Sequence, residues 1–406
     1  MPDEPAKASQ PAATTVGDSA SGSAPGSTPS ASAGESGSAY PSGVAPSETS
    51  TDAIPSRPGS TGRARFGTLE LAIVLSHYDV GVIETIQEFP RGSRKAPKLL
   101  LKSEAGRYLL KRRARGKNDA EKVAFCHALQ LHLADRQFPL PHLIGTRHDN
   151  NSMLQWKEHI YELFEYIKGT AYDASLEATG DAGKTLGLFH RLLLNFKSEY
   201  NSAQGSYHAT KTVSAAVQQI PGVLARGPAS VDTGQLDKLL RFLLSSYDQA
   251  AKQVNELGLA DWPVQTVHSD WHPGNMLFRG SRVVAVIDYD SARNLQRVLD
   301  VANGALQFSI LGGGDDPSGW PDYIDESRYR RFLRGYDGVP DAMLSHAELK
   351  SLPYLMIEAL VAEAVIHIAA TGSFAHLDGL AFLTMVERKV RWLQAHADGL
   401  IQAAAD

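Results

Sequence analysis

The chain has 406 residues, a formal net charge of −5 and a single cysteine. No long block of one sign interrupts that balance, which excludes the electrostatic footprint of a nucleic-acid binder. One thiol can form neither an intramolecular disulfide nor a thiolate zinc site, which fits a reducing cytoplasm, and no uninterrupted apolar stretch of about 18 residues offers a membrane span.

Residues 1–62 are Ser, Ala, Gly and Pro with almost no large apolar side chain. Such a segment buries too little surface to offset the entropy of ordering it, and it is expected to be a disordered tail. Its start, MPDEPAKASQ, lacks the basic and apolar regions of a secretory signal. The roughly 340 residues that follow exceed one typical core, so two lobes are expected.

From residue 66 to 168 the chain reads as strands plus one helix. GVIETIQEF alternates and is β-branched, PRGSRKAP breaks it, KLLLKS resumes, EAG turns and RYLLKRR runs back. NDAEKVAFCHALQLHLADRQFPLP follows, with a cap at Asn118 or Asp119 and apolar spacing at Val123, Cys126, Leu129 and Leu133. That predicts a helix ending before Pro139. HIYELFEYI returns to strand character and leads to Lys168-Gly169.

Helical spacing dominates thereafter. DAGKTLGLFHRLLLNF aligns Leu186, Phe189, Leu193 and Phe196. QLDKLLRFLLSSYDQAAKQVNEL aligns Leu236, Leu239, Leu240, Leu243, Tyr247 and Val254, and at least two more helices lie in the tail. The one strand-like stretch expected in this half is HSDWHPGNMLF, then RGSR, then VVAVIDYD. As a hairpin, residues 276–278 pair with residues around 283–287, so Asn275 and Asp288 become neighbours at its open end. The loop before it delivers Asp270 to the same place. Oxygen ligands suit a hard cation, and Mg²⁺ takes one or two protein oxygens beside water and substrate phosphates. A carboxylate five residues before the Asn supplies what phosphoryl transfer asks of the group that deprotonates an attacking hydroxyl. Asp290 reads equally as a secondary metal contact or as a solvated strand end. His190 reads as a packing histidine, and Cys126 as a core residue. HSDWH could suggest a zinc site, but no further His or Cys lies at zinc-like spacing nearby.

HSDWHPGN resembles the H-x-D-x-x-x-x-N catalytic loop, and IDYDSA the metal-binding segment, of the aminoglycoside phosphotransferase and choline kinase-like family of small-molecule kinases. The likeness runs over roughly residues 70–400. It implies an α+β, protein-kinase-like two-lobed fold, with a small antiparallel-sheet N-lobe at 63–168 and a mostly helical C-lobe at 169–402. It implies ATP and Mg²⁺ as cofactors and a small-molecule hydroxyl as acceptor, with amine-bearing compounds among the candidates, and neither a nucleic-acid nor a membrane partner. By matching, Asp270 is the catalytic base, Asn275 and Asp288 the Mg²⁺ ligands, His268 a brace of the loop, and Asp300 its anchor on the next helix. Lys111, late in the third strand, matches the lysine that pairs with ATP phosphates. Gly92 and Ser93 fall in the phosphate-covering loop, and backbone groups near Glu165 and Ile167 in the adenine-binding hinge.

Two features depart from the pattern. The phosphate loop has one glycine, and Cys126 stands where the family's helix carries a Glu for the strand lysine. Either Glu121 reaches Lys111 by a shifted helix or Lys111 works without that ion pair. The alternative function is a weak or inactive nucleotide-binding protein with a structural role. A protein kinase ranks below both, since no A-P-E motif follows. Finally, LGGGDDPSGWPDYIDESRYRRF gathers Asp315, Asp316, Asp322, Asp325 and Glu326 with Trp320 and Tyr323. It is either the edge of a pocket for a cationic acceptor or a solvated, turn-rich loop.

Overall fold

Alternating and β-branched residues build a five-stranded antiparallel sheet in the first half of this computed structural model, which describes residues 64–90, 95–226 and 232–405. The expected tail at 1–62, and Gly92 and Ser93, lie outside the described residues. The strands are β1 (Ile83–Glu88), β2 (Lys98–Ser103), β3 (Gly106–Arg112), β4 (Leu154–Trp156) and β5 (His159–Glu165), in spatial order β1-β2-β3-β5-β4. Two elements go beyond the expected strands and single helix: β4 and a helix α1 (Thr68–Ser76) ahead of the sheet. TLELAIVLS is apolar nearly all round, so it offers no stripe at helical spacing, and β4 is only three residues long.

Strand alternation gives the sheet two chemically different faces. Leu99, Leu101, Leu110, Tyr161 and Leu163 pack with Val74, Tyr78 and Val80 into a small apolar core around α1. The intervening positions carry Lys98, Lys111 and Glu162 on the opposite face, where Lys111 is paired directly with Lys98 on one side and Glu162 on the other. Helix α2 (Ala120–Ala134) starts as expected, with the Asp119 carboxylate accepting the N–H groups of Glu121 and Lys122. Its buried residues Phe125, Cys126, Leu129 and Leu133 join the core of the helical half instead of the core under α1.

The chain crosses between the halves after β5. Tyr166 N–H bonds Arg107 O at 2.9 Å, and Thr170 exchanges two backbone bonds with Phe278, at 2.8 and 2.9 Å. Gly169 is required at this crossing, because a Cβ there would lie 2.8 Å from the Leu277 Cβ.

The helical half contains α3 (Leu176–Leu192), α4 (Lys211–Leu224), α5 (Thr233–Glu256), α6 (Val298–Ser309), α7 (Glu326–Asp337), α8 (His346–Thr371), α9 (Gly379–Ala395) and α10 (Ala397–Ala405). α8 is apolar and long enough to cross a membrane by composition, yet 78% of its most apolar window is buried inside the fold. It is the central helix of the core. Strand material is more extensive than expected: β6 (Val264–Val267) pairs antiparallel with β9 (Arg293–Gln296), and between them lies the expected hairpin, β7 (Met276–Arg279) and β8 (Arg282–Val286). Met276 pairs with Val286, and Ile287 N–H bonds Asn275 O at 2.9 Å. The open end of the ribbon therefore brings Asn275 beside the residue preceding Asp288.

Candidate active site

The loop from His268 to Asn275 connects β6 to β7, and one carboxylate fixes its entry. Asp300, in the first turn of α6, accepts the N–H of His268 at 2.6 Å and of Ser269 at 2.7 Å. Ser269 takes a left-handed conformation, φ 60°, which these two bonds hold in place. His190 bonds the Tyr336 hydroxyl through Nδ1 at 2.8 Å and approaches Asp300 Oδ2 through Nε2 at 3.3 Å. It supports the anchor, in keeping with its expected packing role. The His268 imidazole is fully buried among Phe189, Trp271 and Tyr289. Neither ring nitrogen makes a hydrogen bond among the described residues, and burial pushes its pKa down. His268 thus shapes the loop by packing as a neutral ring.

Asp270 and Asn275 face each other within the loop. The Asn275 amide nitrogen donates to Asp270 O at 3.0 Å and to Asp270 Oδ2 at 2.9 Å. That orientation turns Asn275 Oδ1 away with no hydrogen bond among the described residues. His272 accepts the Gly274 N–H on Nδ1 at 3.0 Å, which leaves a proton on Nε2, 3.5 Å from Asp270 Oδ1. Burial raises the Asp270 carboxyl's pKa, but His272, with Asn275, outweighs it and holds it below the usual carboxylate range. Asp288 is exposed in the left-handed region, φ 64°, and its carboxylate has no hydrogen bond or ion pair among the described residues. The Asn275 and Asp288 oxygens therefore fit a hard cation that takes few protein ligands. No three His, Cys, Asp or Glu side chains gather as a metal site among the described residues. His268 is enclosed by aromatic rings and His272 is engaged with Gly274 and Asp270, so HSDWH does not assemble a two-histidine centre.

The polar face of the sheet meets the loop after β8. Lys111 Nζ lies 3.4 Å from Asp290 Oδ2 and 3.6 Å from Glu162 Oε2. Arg113, two residues on and on the same face, bridges the same two acids at 2.7 and 2.8 Å. His127 of α2 completes the group, 2.8 Å from Glu162 Oε1. Burial alone would raise the Glu162 carboxyl, but Arg113, Lys111 and His127 hold it well below the usual range. Lys98 has no ion pair among the described residues, and burial beside Lys111 lowers its pKa.

Sequence reasoning offered Lys111 a shifted Glu121 or no ion pair with the helix at all. Among the described residues no α2 acid pairs with it, and the acid beside it is Glu162, one strand away. Glu121 is at the surface, bonded to Asn201 at 2.9 Å. Cys126 is buried, its thiol pushed up to about 12 by burial, and it contacts Tyr289 O at 3.2 Å. Asp290 is an ion-pair partner, neither of the two roles considered for it. The clue to Glu162 was an acid within an otherwise apolar strand, HIYELFE, of which four central residues are buried.

At the expected hinge, the Glu165 N–H is taken by His142 O at 2.8 Å, whereas the Ile167 N–H makes no backbone bond among the described residues. In the acidic loop, Asp316 and Asp325 cap the short helix at 317–319 and α7. Asp322 pairs with Arg388 at 2.6 Å and Asp315 with His376 at 3.1 Å, both near the surface. Lys389, fully buried, donates to Leu311 O, Pro321 O and Tyr323 O and pins the loop. Up to Asp325 these contacts match the turn-rich reading, whereas from Glu326 the segment is the start of α7, and Trp320 is buried and not solvated. A different acid lies near Asp270. Glu363 of α8 accepts from Gln307 at 2.7 Å, feels the charges of His272 and Asp270, and is pushed up by burial to about 7.

A profile of a phosphotransferase enzyme family, APH, matches residues 85–349. Three solved structures share the fold. A microcompartment-associated aminopropanol kinase aligns over 82% of this chain and 98% of its own, at 13% identity and a TM-score of 0.61. An aminoglycoside phosphotransferase from Alicyclobacillus acidocaldarius covers 86% of this chain and 99% of its own, at 17% identity and 0.59. Choline kinase from Cryptosporidium parvum covers 78% and 91%, at 12% identity and 0.53. No curated protein matches the chain.

Proposed function

The chain belongs to the phosphotransferase enzyme family and has its protein-kinase-like fold, and on that premise we propose that it moves the γ-phosphate of ATP, with Mg²⁺, to a hydroxyl of a small molecule. The observation that carries this reading is the pairing of free oxygens at the hairpin end with a lysine-bearing sheet face. Asn275 Oδ1 and Asp288 would hold Mg²⁺, which neutralises phosphate charge when bound. Lys111, with a third ammonium proton beyond its two acidic neighbours, would grip the phosphates, and unpaired Lys98 lies next to it on the same face. Gly92 and Ser93 would cover the phosphates and the hinge at Glu165 and Ile167 would take the adenine edge. Of the hinge groups the free Ile167 N–H is the better supported.

Asp270 would receive the proton of the acceptor hydroxyl. Its low pKa keeps it ionised at working pH, while Asn275 and His272 aim it. Transfer of this kind is mostly positioning and charge neutralisation, so little covalent chemistry is asked of the chain. The named relatives act on, or carry the names of, amine-bearing alcohols. Glu363, near the base, supports an amine-bearing acceptor here, because a cation beside it would favour its ionised form. With this reading we place the lobe boundary at Lys168-Gly169 and a cytoplasmic location on the single cysteine. The rival reading, a nucleotide binder without turnover, rested on Cys126, and Glu162 beside Lys111 weakens its premise.

Titration calorimetry of ATP with and without Mg²⁺ tests the metal assignment. Mg²⁺ is expected to tighten ATP binding to the wild-type chain and to have little effect in Asp288→Ala. Equal Mg²⁺ dependence in both would remove Asp288 from the site.

A further inference from the structure

Glu162 is built as a bidentate holder with its two oxygens divided between tasks. Oε1 is fixed by Arg113 at 2.8 Å and His127 at 2.8 Å, and His127 is itself held by Ser152 at 2.8 Å. Oε2 is buried with no hydrogen bond among the described residues, and Lys111 Nζ is 3.6 Å from it. A buried carboxylate oxygen without a hydrogen bond is costly to keep unless a nearby charge draws on it. The strand register puts Lys111 and Glu162 directly opposite each other, so the sheet itself fixes their approach. The helix that would otherwise supply the acid places Cys126 against Tyr289 O and Glu121 against Asn201.

We infer that Glu162 is the positioning residue of Lys111, a strand-borne carboxylate in place of an acid on α2, and that Arg113 extends its hold to Asp290. Two cations of the sheet, Lys111 and Arg113, are thereby joined to one acid of the sheet and one of the loop after β8. When phosphates enter, Asp290, whose side chain is 23% exposed, is the partner free to yield, whereas Glu162, at 1%, stays. The lysine then keeps one anchor while it changes the other. This inference rests on the nucleotide reading above.

A double-mutant cycle on Mg·ATP affinity, read by calorimetry on the full chain, separates positioning from mere folding support. Glu162→Gln is expected to weaken Mg·ATP binding by about 10- to 100-fold. Lys111→Met weakens it too, and the double variant should bind no more than about threefold worse than Lys111→Met alone. Should Glu162→Gln fail to fold, Glu162→Asp keeps the charge but draws it back by one methylene from Lys111, Arg113 and His127 alike. It should weaken binding in the wild-type background and not in Lys111→Met. Wild-type affinity in Glu162→Gln, or losses that multiply in the double variant, would overturn the inference alone. A wild-type chain that does not bind Mg·ATP would overturn the nucleotide reading and this inference with it.

Discussion

The placement of Asp270, Asn275 and Asp288 was legible in the sequence because it is set by one short loop and one hairpin, and local geometry is what a sequence states most directly. Glu162 was not, because its importance comes from a strand pairing with Lys111, which nothing in the 50 positions between them announces. Glu363 was hidden for a similar reason: it is one acid on an apolar helix, and only the packing of α8 brings it near Asp270. Its environment carries a stability consequence. Burial raises the folded-state pKa from 4.5 to about 7, so its contribution is fully present below about pH 4.5 and is lost as pH rises through 7. Glu363→Gln removes that loss. Denaturant melts should find the variant equal to wild type near pH 4.5 and about 2 kcal/mol more stable at pH 8. This is less than the full linkage value, because water reaches a half-buried carboxyl. Equal stability at both pH values would show that the carboxyl ionises freely in the folded chain.

Elements with strong periodicity or clear turn residues were readable: α2 with its Asp119 cap, α5, and the β7–β8 hairpin around Gly280. The elements that escaped are those with little local signal. β4 and β6 are three and four residues long, and β9 reads RNLQ, with no β-branched residue. Each exists because a partner strand pairs with it. The element on which the two halves depend most is the short connection at residues 166–170. Gly169→Val would drive a Cβ into Leu277 and the Phe278 carbonyl, at 2.8 and 3.0 Å. Overpacking of this kind costs about 1–3 kcal/mol, and a thermal melt should show a correspondingly lower Tm. An unchanged Tm would mean that the Thr170–Phe278 bridge can shift without loss.

Across the whole molecule, the sheet contributes cations and the helical half contributes oxygens, and the Lys111–Asp290 and Arg113–Asp290 contacts join the two. The strand-rich first half and helical second half were legible from periodicity, and the kinase-like architecture followed from the resemblance carried by HSDWHPGN and IDYDSA. The small-molecule acceptor did not follow, since the helical half reads as generic core in sequence and its loop acids are engaged in caps and surface pairs. Phosphate transfer is therefore best tested through the donor and the base. The decisive measurement is ADP release from Mg·ATP across a panel of amino alcohols, aminoglycosides, homoserine, sugars and nucleosides, for the wild-type chain and for Asp270→Asn. The account predicts acceptor-dependent ADP release by the wild-type chain. It predicts a loss of about 10²- to 10⁴-fold in Asp270→Asn, with Mg·ATP affinity nearly unchanged. Full turnover in Asp270→Asn would contradict it, as would a wild-type chain that binds Mg·ATP yet releases no ADP with any acceptor class.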